Sequence, residues 1–291
     1  MADSNERGHR SRAKPSPLLN EPPRPASSTS GPQTAPDPAN VALIRHEQEE
    51  RGVCFVRFVP QPPFDARLVF ADRDASRAAA FRQLRQRVLD RGNAHAILCT
   101  SAAPSEGKTT LAANLALAFS ELGRYRVLLV EANFRPPALG KLFGFVPPKG
   151  FRSQILRHRQ HPADPWVVVQ IGPPPLYIMA IEPNACPRCA AGLPEDAKFC
   201  GACGVILAGN GASVLDGAGF SSALERFKQD FDYVIIDAPS VLVGGDVNLI
   251  QDGADGVILA TRKGYSDERS LRRALDQIAP APLIGVTLFE E

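Results

Sequence analysis

The sequence predicts an α/β fold in which a parallel sheet is covered by helices on both faces. Continuous apolar runs at 96–99, 127–130, 233–236 and 256–260 are typical of strands buried on both faces, and residues 283–288 resemble a further strand. Stretches with helical periodicity separate these runs. Such alternation indicates parallel strands joined by helical crossovers.

The N-terminal part of the chain has a different composition. Residues 1–40 contain eight prolines and few large apolar side chains. They cannot bury enough surface to offset the entropy lost on ordering, so we expect them to be disordered. Residues 53–59 (VCFVRFV) could form a short strand, which the prolines at 60, 62 and 63 would end.

Helical patterns fill the intervals between the predicted strands. The first runs from about residue 76 to 92, and its apolar side chains recur at spacings of three and four: Ala80, Phe81, Leu84 and Val88. The second follows the first strand and stops at Gly123, and another covers about 221–229. Residues 166–169 (WVVV) fit either a core segment or an edge strand.

The first predicted strand leads into a loop of the kind that binds phosphate. The text TSAAPSEGKTT at 100–110 joins that strand to a helix, which is the context of a P-loop. Backbone amides of such a loop and of the helix N-terminus bind phosphate oxygens because they have no partner within the helix. We expect the nucleotide to contact Pro104, Ser105, Glu106, Gly107, Lys108, Thr109 and Thr110.

Two residues of this loop have specific expected roles. Lys108 would reach the β- and γ-phosphates, and the hydroxyl of Thr109 would bind Mg²⁺. The general pattern G-x-x-x-x-G-K-[ST] has Ala102 in place of its first glycine. The alternative is therefore a Gly-Lys pair at an ordinary helix start.

Acidic residues end two of the predicted strands. Glu131 follows the strand at 127–130, and Asp237 follows the strand at 233–236. Carboxylates at this edge of a parallel sheet lie beside the phosphate site, where they can hold Mg²⁺ or orient a nucleophile. Asp237 could instead cap a turn. Lys108, Glu131 and Asp237 are the candidate catalytic residues.

Five segments together resemble the bacterial tyrosine autokinase (BY-kinase) family of the CpsD/CapB type, which acts in capsule and exopolysaccharide export. They read AFRQLR at 80–85, ILCTSAAPSEGKTT at 97–110, VLLVEANFRPPALGKLFG at 127–144, FDYVIIDAPSVLVGGDV at 231–247 and DGVILATRKG at 255–264. The family's loop usually lacks the first glycine too. Ala103 stands where the related cell-division and partition ATPases have an extra lysine, which argues against that branch.

The resemblance implies a MinD-like P-loop NTPase of the SIMIBI class that binds ATP with Mg²⁺. It assigns the nucleotide site to Lys108, Thr109, Glu131, Asn133, Arg135 and Asp237. Members of the family assemble as rings, phosphorylate tyrosines on a neighbour's C-terminal tail, and are activated by a transmembrane polysaccharide co-polymerase. We therefore expect a homo-oligomer, that partner, and a cytoplasmic location at the inner face of the membrane.

Three departures from the family pattern weaken the expected activity. Asn133 replaces an aspartate and cannot act as a base or an anionic ligand. The family's helix motif Glu-x-x-Arg-x-x-Arg begins with Ala79 here, and the tyrosine-rich tail is missing. A nucleotide-binding regulatory or scaffold subunit is therefore a second hypothesis, and a positioning ATPase of the MinD/ParA kind is a third.

An insertion between the two acidic strand ends carries four of the six cysteines. Cys186 and Cys189 form one C-x₂-C pair, and Cys200 and Cys203 form another ten residues later. Two such turns can place four thiolates around Zn²⁺, and with all positions filled by protein the ion is structural. The text resembles a zinc ribbon, which could be a folded staple or a docking module for a partner.

Composition and these motifs set the expected domain organisation. We assign residues 1–67 to a disordered tail and linker, 68–291 to the P-loop domain and 184–206 to the zinc-ribbon insertion. The formal net charge of +2 argues against nucleic-acid binding. The chain has no apolar run of 18 residues and begins with polar residues, which argues against a membrane span and a secretion signal.

Overall fold

The computed structural model describes residues 43–50, 52–70, 75–134, 137–183, 193, 197–206, 217–243 and 246–290. Its strands are β1 Leu43–Glu50, β2 Val53–Phe58, β3 Ala96–Ser101, β4 Val127–Glu131, β5 Trp166–Ile171, β6 Leu176–Met179, β7 Tyr233–Asp237, β8 Gly256–Arg262 and β9 Leu283–Phe289. Its helices are α1 Ala75–Asp90, α2 Lys108–Ser120, α3 Leu139–Phe143, α4 Phe151–His158, α5 Gly217–Asp230, α6 Asp246–Gln251 and α7 Glu268–Ile278.

The strands form one sheet in the order β1-β2-β5-β6-β4-β7-β3-β8-β9. All neighbouring pairs are parallel except β1 with β2 and β5 with β6. The expected α/β fold with a parallel sheet is thus confirmed for the part of the sheet from β6 to β9. The expectation that residues 1–40 are disordered concerns residues outside those described.

Two apolar cores, one on each face of the sheet, explain why the central strands are apolar at every position. In β3, Ala96 and Leu98 pack into one core, whereas Ile97 and Cys99 pack into the other. Side chains alternate between the faces of a strand, so a strand covered on both sides needs apolar residues throughout. Cys99 is fully buried in the second core and packs there as an apolar side chain.

The structure confirms the short strand expected within residues 53–59, which is β2, and corrects the expectation of disorder for the described residues before 68. Strands β1 and β2 lie within residues 1–67, so a disordered tail and linker does not describe residues 43–50 and 52–67. The sequence LIRHEQEE of β1 lacks the apolar alternation of a strand, and this segment forms a strand through antiparallel pairing with β2. Gly52, at φ 79°, lies in the turn between the two strands.

The region before the cysteine-rich insertion also differs from the sequence prediction. The run at 166–169 belongs to β5, which lies inside the sheet between β2 and β6 and is not an edge strand. Strand β6 was not predicted, although its four residues LYIM are as apolar as the four-residue runs that were predicted as strands. Within the described ranges, no helix has the length and apolar content needed to cross a bilayer.

Candidate nucleotide-binding site

The loop between β3 and α2 has the backbone geometry of a phosphate cradle. Ser105 and Gly107 adopt left-handed conformations, with φ 63° and 96°. These residues turn the chain sharply before Lys108, the first residue of α2. No side chain caps the start of α2, so its first amides keep their capacity to donate hydrogen bonds to an anion.

A cavity of about 450 Å³ opens beside this loop. Residues 105–110 form one wall, and the remaining lining residues are Arg67, Arg262, Phe289 and Glu290. Arg262 ends β8 and Phe289 ends β9, so both come from the same edge of the sheet as the loop. The ring of Phe289 lies 2.9 Å from the position that a Cβ atom on Gly107 would occupy, so the loop needs glycine there.

Arg67 reaches this cavity because a buried asparagine fixes its backbone. Asn114 of α2 donates from Nδ2 to the carbonyl oxygens of Arg67 (2.7 Å) and Thr110 (2.9 Å), and its Oδ1 accepts from the amide of Val69 (2.9 Å). The Arg67 guanidinium forms two hydrogen bonds with Asp65, at 2.9 and 2.6 Å. Neither Arg67 nor Arg262 was among the predicted site residues. Arg262 lies in the segment 255–264 that resembles the kinase family, whereas Arg67 lies outside all five such segments.

Glu106 joins the phosphate loop to the turn that follows β8. This carboxylate is almost completely buried; it accepts from the amide of Ala103 at 2.8 Å and from the hydroxyl of Ser266 at 2.5 Å. The same hydroxyl accepts from the amide of Arg262 at 2.8 Å. Glu106 therefore supports the shape of the loop and keeps Arg262 beside it.

Asp237 has the chemistry of a cation ligand. Its carboxylate is fully buried, and neither oxygen has a well-formed hydrogen bond to a described residue. Desolvation and the nearby Glu131 charge raise the pKa of Asp237 to about 7, whereas Thr109 and Lys108 favour the ionised form. A buried carboxylate whose nearest polar side chains are Thr109 and Lys108, without a well-formed hydrogen bond, is costly, and Mg²⁺ beside the Thr109 hydroxyl would satisfy it.

Glu131 lies opposite Asp237 in the β4–β7 pairing but has a different environment. Its Oε1 accepts from the amides of Ala138 and Leu139 (2.8 Å for Leu139), and its Oε2 accepts from the amide of Ile181 at 2.8 Å. Burial raises the pKa of Glu131, and the three amides oppose that effect. The carboxylate thus joins the start of α3 and the end of β6 to β4.

The structure places most of the residues that the sequence predicts for this site. Lys108, Thr109, Glu131 and Asp237 come together in one electrostatic cluster, and Pro104 to Gly107 form the loop beside it. Asn133 is buried just after β4. Arg135 lies outside the described residues, so its predicted contact with the nucleotide stays a prediction.

The two arginines of the family's helix motif are both engaged within the chain. Arg82 of α1 forms a bidentate ion pair with Glu121, which follows α2 (Arg82 Nε–Glu121 Oε2, 2.8 Å). Arg85 donates to the carbonyl of Ala118 at 2.6 Å and lies 3.5 Å from Glu121. In this chain they hold α1 against α2.

The second cysteine pair of the insertion lies in a tight turn. Cys200 donates from its amide to Val205 (2.9 Å) and accepts from the amide of Gly204 (2.8 Å), and Phe199 pairs with Ile206. Gly204 adopts φ 70° directly after Cys203. No cluster of three or more ligating side chains occurs among the described residues, which exclude Cys186 and Cys189.

Comparison with known proteins places this geometry among bacterial kinases. The chain is 25% identical to tyrosine-protein kinase YwqD of Bacillus subtilis over 183 residues, which span 63% of this chain and 66% of that protein. It is 25% identical to tyrosine-protein kinase CpsD of Streptococcus agalactiae over 214 residues, 72% of this chain and 80% of that protein. No family model matches the chain.

A further relative and two solved structures extend the comparison. The succinoglycan biosynthesis transport protein ExoP of Rhizobium meliloti is 24% identical over 202 residues, 66% of this chain but 22% of ExoP. The kinase domain of Escherichia coli tyrosine kinase ETK superposes with a TM-score of 0.60 at 18% identity, over 79% of this chain and 82% of that domain. The chimerical protein CapA2B2 gives 0.58 at 21% identity, over 79% and 91%.

These likenesses agree with the site described above. The solved structures share the fold, and the two kinase relatives are 25% identical over 63% and 72% of the chain. The chain has the fold of bacterial tyrosine-kinase domains and is related in sequence to bacterial tyrosine-protein kinases.

Proposed function

We propose that the chain is a protein-tyrosine kinase that uses ATP and Mg²⁺ and acts in the synthesis and export of a bacterial polysaccharide. The observation that carries this proposal is the buried, unsatisfied carboxylate of Asp237 beside Lys108 and Thr109. The names of the relatives supply the reaction and the process, since YwqD and CpsD are tyrosine-protein kinases and ExoP is a polysaccharide biosynthesis transport protein.

Each residue of the site has a task in this proposal. The amides of residues 105–110 and the ammonium group of Lys108 bind the phosphates, and Thr109 and Asp237 hold Mg²⁺. Bound Mg²⁺ neutralises charge on the transferring phosphoryl group. Arg67 and Arg262 add two cations to the cavity, where they can bind phosphate oxygens nearer the nucleoside.

Calorimetry with Mg²⁺–ATP, followed by a transfer assay, tests the proposal. We expect Lys108→Ala to weaken ATP binding about 100-fold or more, because a charge-assisted contact in a partly desolvated site is lost. Lys141→Ala, on the exposed surface of α3, is the matched control and should bind normally. Wild-type protein should label an acidic Glu–Tyr copolymer. If the wild type bound no ATP, or if Lys108→Ala bound it equally, the proposal would be wrong.

A nucleotide-binding regulatory or scaffold subunit is the second candidate. It is favoured by the state of Glu131, whose oxygens are occupied by three backbone amides, and by Asn133, which provides no second carboxylate. This candidate predicts tight ATP binding with no label on the copolymer at any Mg²⁺ concentration. Phosphorylation of the copolymer that depends on Lys108 would rule it out.

The four cysteines are proposed to bind one structural Zn²⁺ per chain. Support comes from the turn around Cys200 and Cys203, where the backbone hydrogen bonds and the positive φ of Gly204 give the compact form typical of a zinc knuckle. Elemental analysis should find one zinc per chain. Cys200→Ser should lose it, whereas Cys54→Ser in β2 should retain it. A zinc content near zero in freshly purified protein would contradict this assignment.

Through the family resemblance, the proposal includes assembly of the chain as a homo-oligomer. It also includes a transmembrane co-polymerase as the partner, at the inner face of the membrane. No nucleic acid is expected to bind. The intramolecular pairing of Arg82 and Arg85 with Glu121 bears on the oligomer, because a ring would have to compete for these arginines. Glu121→Ala removes the ion-pair partner of Arg82 and one of the two partners of Arg85. We expect it to increase the oligomeric fraction in light scattering, and an unchanged mass would argue against their use in ring contacts.

A further inference from the structure

The four tyrosines of the chain divide between the two edges of the sheet. Tyr125 precedes β4, Tyr177 lies near the start of β6 and Tyr233 begins β7. These three strands are parallel, so all three tyrosines lie at the edge where the strands begin. Tyr265 instead follows β8, which is parallel to β3, and therefore lies at the edge that carries the phosphate loop.

Packing also distinguishes Tyr265 from the other three tyrosines. Tyr125 and Tyr233 contact each other with ring centroids 5.0 Å apart, and Tyr177 packs against Phe55 at 5.0 Å. All three are partly buried. Tyr265 is 56% exposed, and it is followed by the exposed acidic residues Asp267 and Glu268. Tyr265 is thus the tyrosine that another protein molecule can reach without unfolding of the chain.

The backbone that carries Tyr265 is fixed to the phosphate loop. Its amide donates to the carbonyl of Arg262 at 3.1 Å, and the adjacent Ser266 donates to Glu106. Arg262 lines the nucleotide cavity, whereas Tyr265 does not. The phenol therefore lies beside its own cavity without entering it, in a turn whose position is well defined.

We propose that Tyr265 is a phosphorylation site of this chain, modified by the nucleotide site of another copy. The inference rests on the proposed kinase function and names an acceptor for it on the chain itself. In this step the phenolic oxygen of Tyr265 forms a bond to the γ-phosphorus of ATP, and the bond between that phosphorus and the leaving oxygen of ADP breaks. The phenolic proton is released to water.

The test uses the full chain, γ-labelled ATP with Mg²⁺, and the acidic Glu–Tyr copolymer as an external acceptor. Mass spectrometry should map the label in the chain to Tyr265. Tyr265→Phe should lower self-labelling at least tenfold while copolymer labelling stays within twofold. Tyr125→Phe, at the opposite edge, is the matched control and should self-label normally.

Transfer between copies is tested by mixing two variants. Lys108→Ala cannot use ATP on the proposed function but retains Tyr265, and Tyr265→Phe retains the nucleotide site. In the mixture, label should accumulate on Tyr265 of the Lys108→Ala protein. Its absence there, with the copolymer labelled in the same tube, would overturn transfer between copies.

The outcomes separate this inference from the function on which it rests. A labelled copolymer with no phosphate on Tyr265, or undiminished self-labelling of Tyr265→Phe, overturns the inference alone. If neither the copolymer nor the chain is labelled, the proposed kinase function fails and the inference fails with it.

Discussion

The ends of β4 and β7 lie side by side and place one carboxylate each in the same buried region. Glu131 and Asp237 are pairing partners across the two strands, and both are completely buried. At the end of β4, three backbone amides satisfy the carboxylate. At the end of β7, neither oxygen of the carboxylate has a well-formed hydrogen bond to a described residue.

The difference indicates which carboxylate stabilises the fold and which is available for chemistry. A buried charge without hydrogen bonds costs several kcal/mol and persists only where a ligand or cation compensates it. A buried carboxylate with three amide donors has its compensation within the chain. On the proposed function, Asp237 serves the nucleotide and Glu131 holds α3 and β6 in place.

The largest expected effect comes from removing the charge at the end of β7. Asp237→Asn should lower the rate of phosphoryl transfer to the Glu–Tyr copolymer about 1,000-fold, because the protein ligand of the cation is lost. Asp276→Asn, on the exposed side of α7, should leave the rate unchanged. A rate within tenfold of wild type would remove Asp237 from the metal site.

In the absence of nucleotide, the pH dependence of the free energy of unfolding should reveal the ionisation of Asp237. Because the folded protein holds the Asp237 proton up to about pH 7 and the unfolded chain releases it near 3.8, the unfolded state binds fewer protons between these values. The contribution of Asp237 to the free energy of unfolding should therefore fall as pH rises through this window, by up to about 4 kcal/mol.

Urea titrations of the ligand-free protein at pH 5 and pH 8 measure this contribution. Asp237→Asn removes the titrating group, so the difference between the two pH values should shrink in the variant. An equal difference in both proteins would show that another group causes the pH dependence.

Substitution of Glu131, at the end of β4, should lower the stability of the fold and leave nucleotide binding nearly unchanged. Glu131→Ala removes the acceptor of three buried amides and should lower the free energy of unfolding by about 3 kcal/mol. Glu131→Asp is one methylene shorter and should lose part of the same contacts. In urea titrations the exposed Glu225→Ala control on α5 should lose much less. Nucleotide affinity of folded Glu131→Asp should stay within a few-fold of wild type, and a 100-fold loss would place Glu131 in the site.

The smallest expected effect concerns the connection between the two sides of the nucleotide cavity. Ser266→Ala removes the hydroxyl between Glu106 and the amide of Arg262, which should cost about 1 kcal/mol of stability. Since Arg262 then lies less firmly in the cavity, calorimetry should show ATP affinity reduced about two- to fivefold. Ser222→Ala, exposed on α5, should change neither quantity.

Much of the fold and part of the site could be predicted because their signals are local. The strands from β3 to β9 that flank the phosphate loop are continuous apolar runs, and the loop itself is defined by residues 100–110. Lys108, Thr109 and Asp237 follow from motif spacing. Strand β6 and the pairing of β1 with β2 escaped prediction, since short or polar strands depend on their neighbours in the sheet.

The sequence by itself determined the strands β3, β4, β7, β8 and β9, the phosphate loop and its lysine, because these depend on neighbouring residues. Only the tertiary structure decided that Glu131 is saturated by amides, that Asn114 brings Arg67 to the cavity, and that Ser266 joins β8 to the loop. Those contacts connect residues from seven to 160 positions apart. Such contacts exist only once the sheet has formed, and no periodicity or motif in the sequence predicts them.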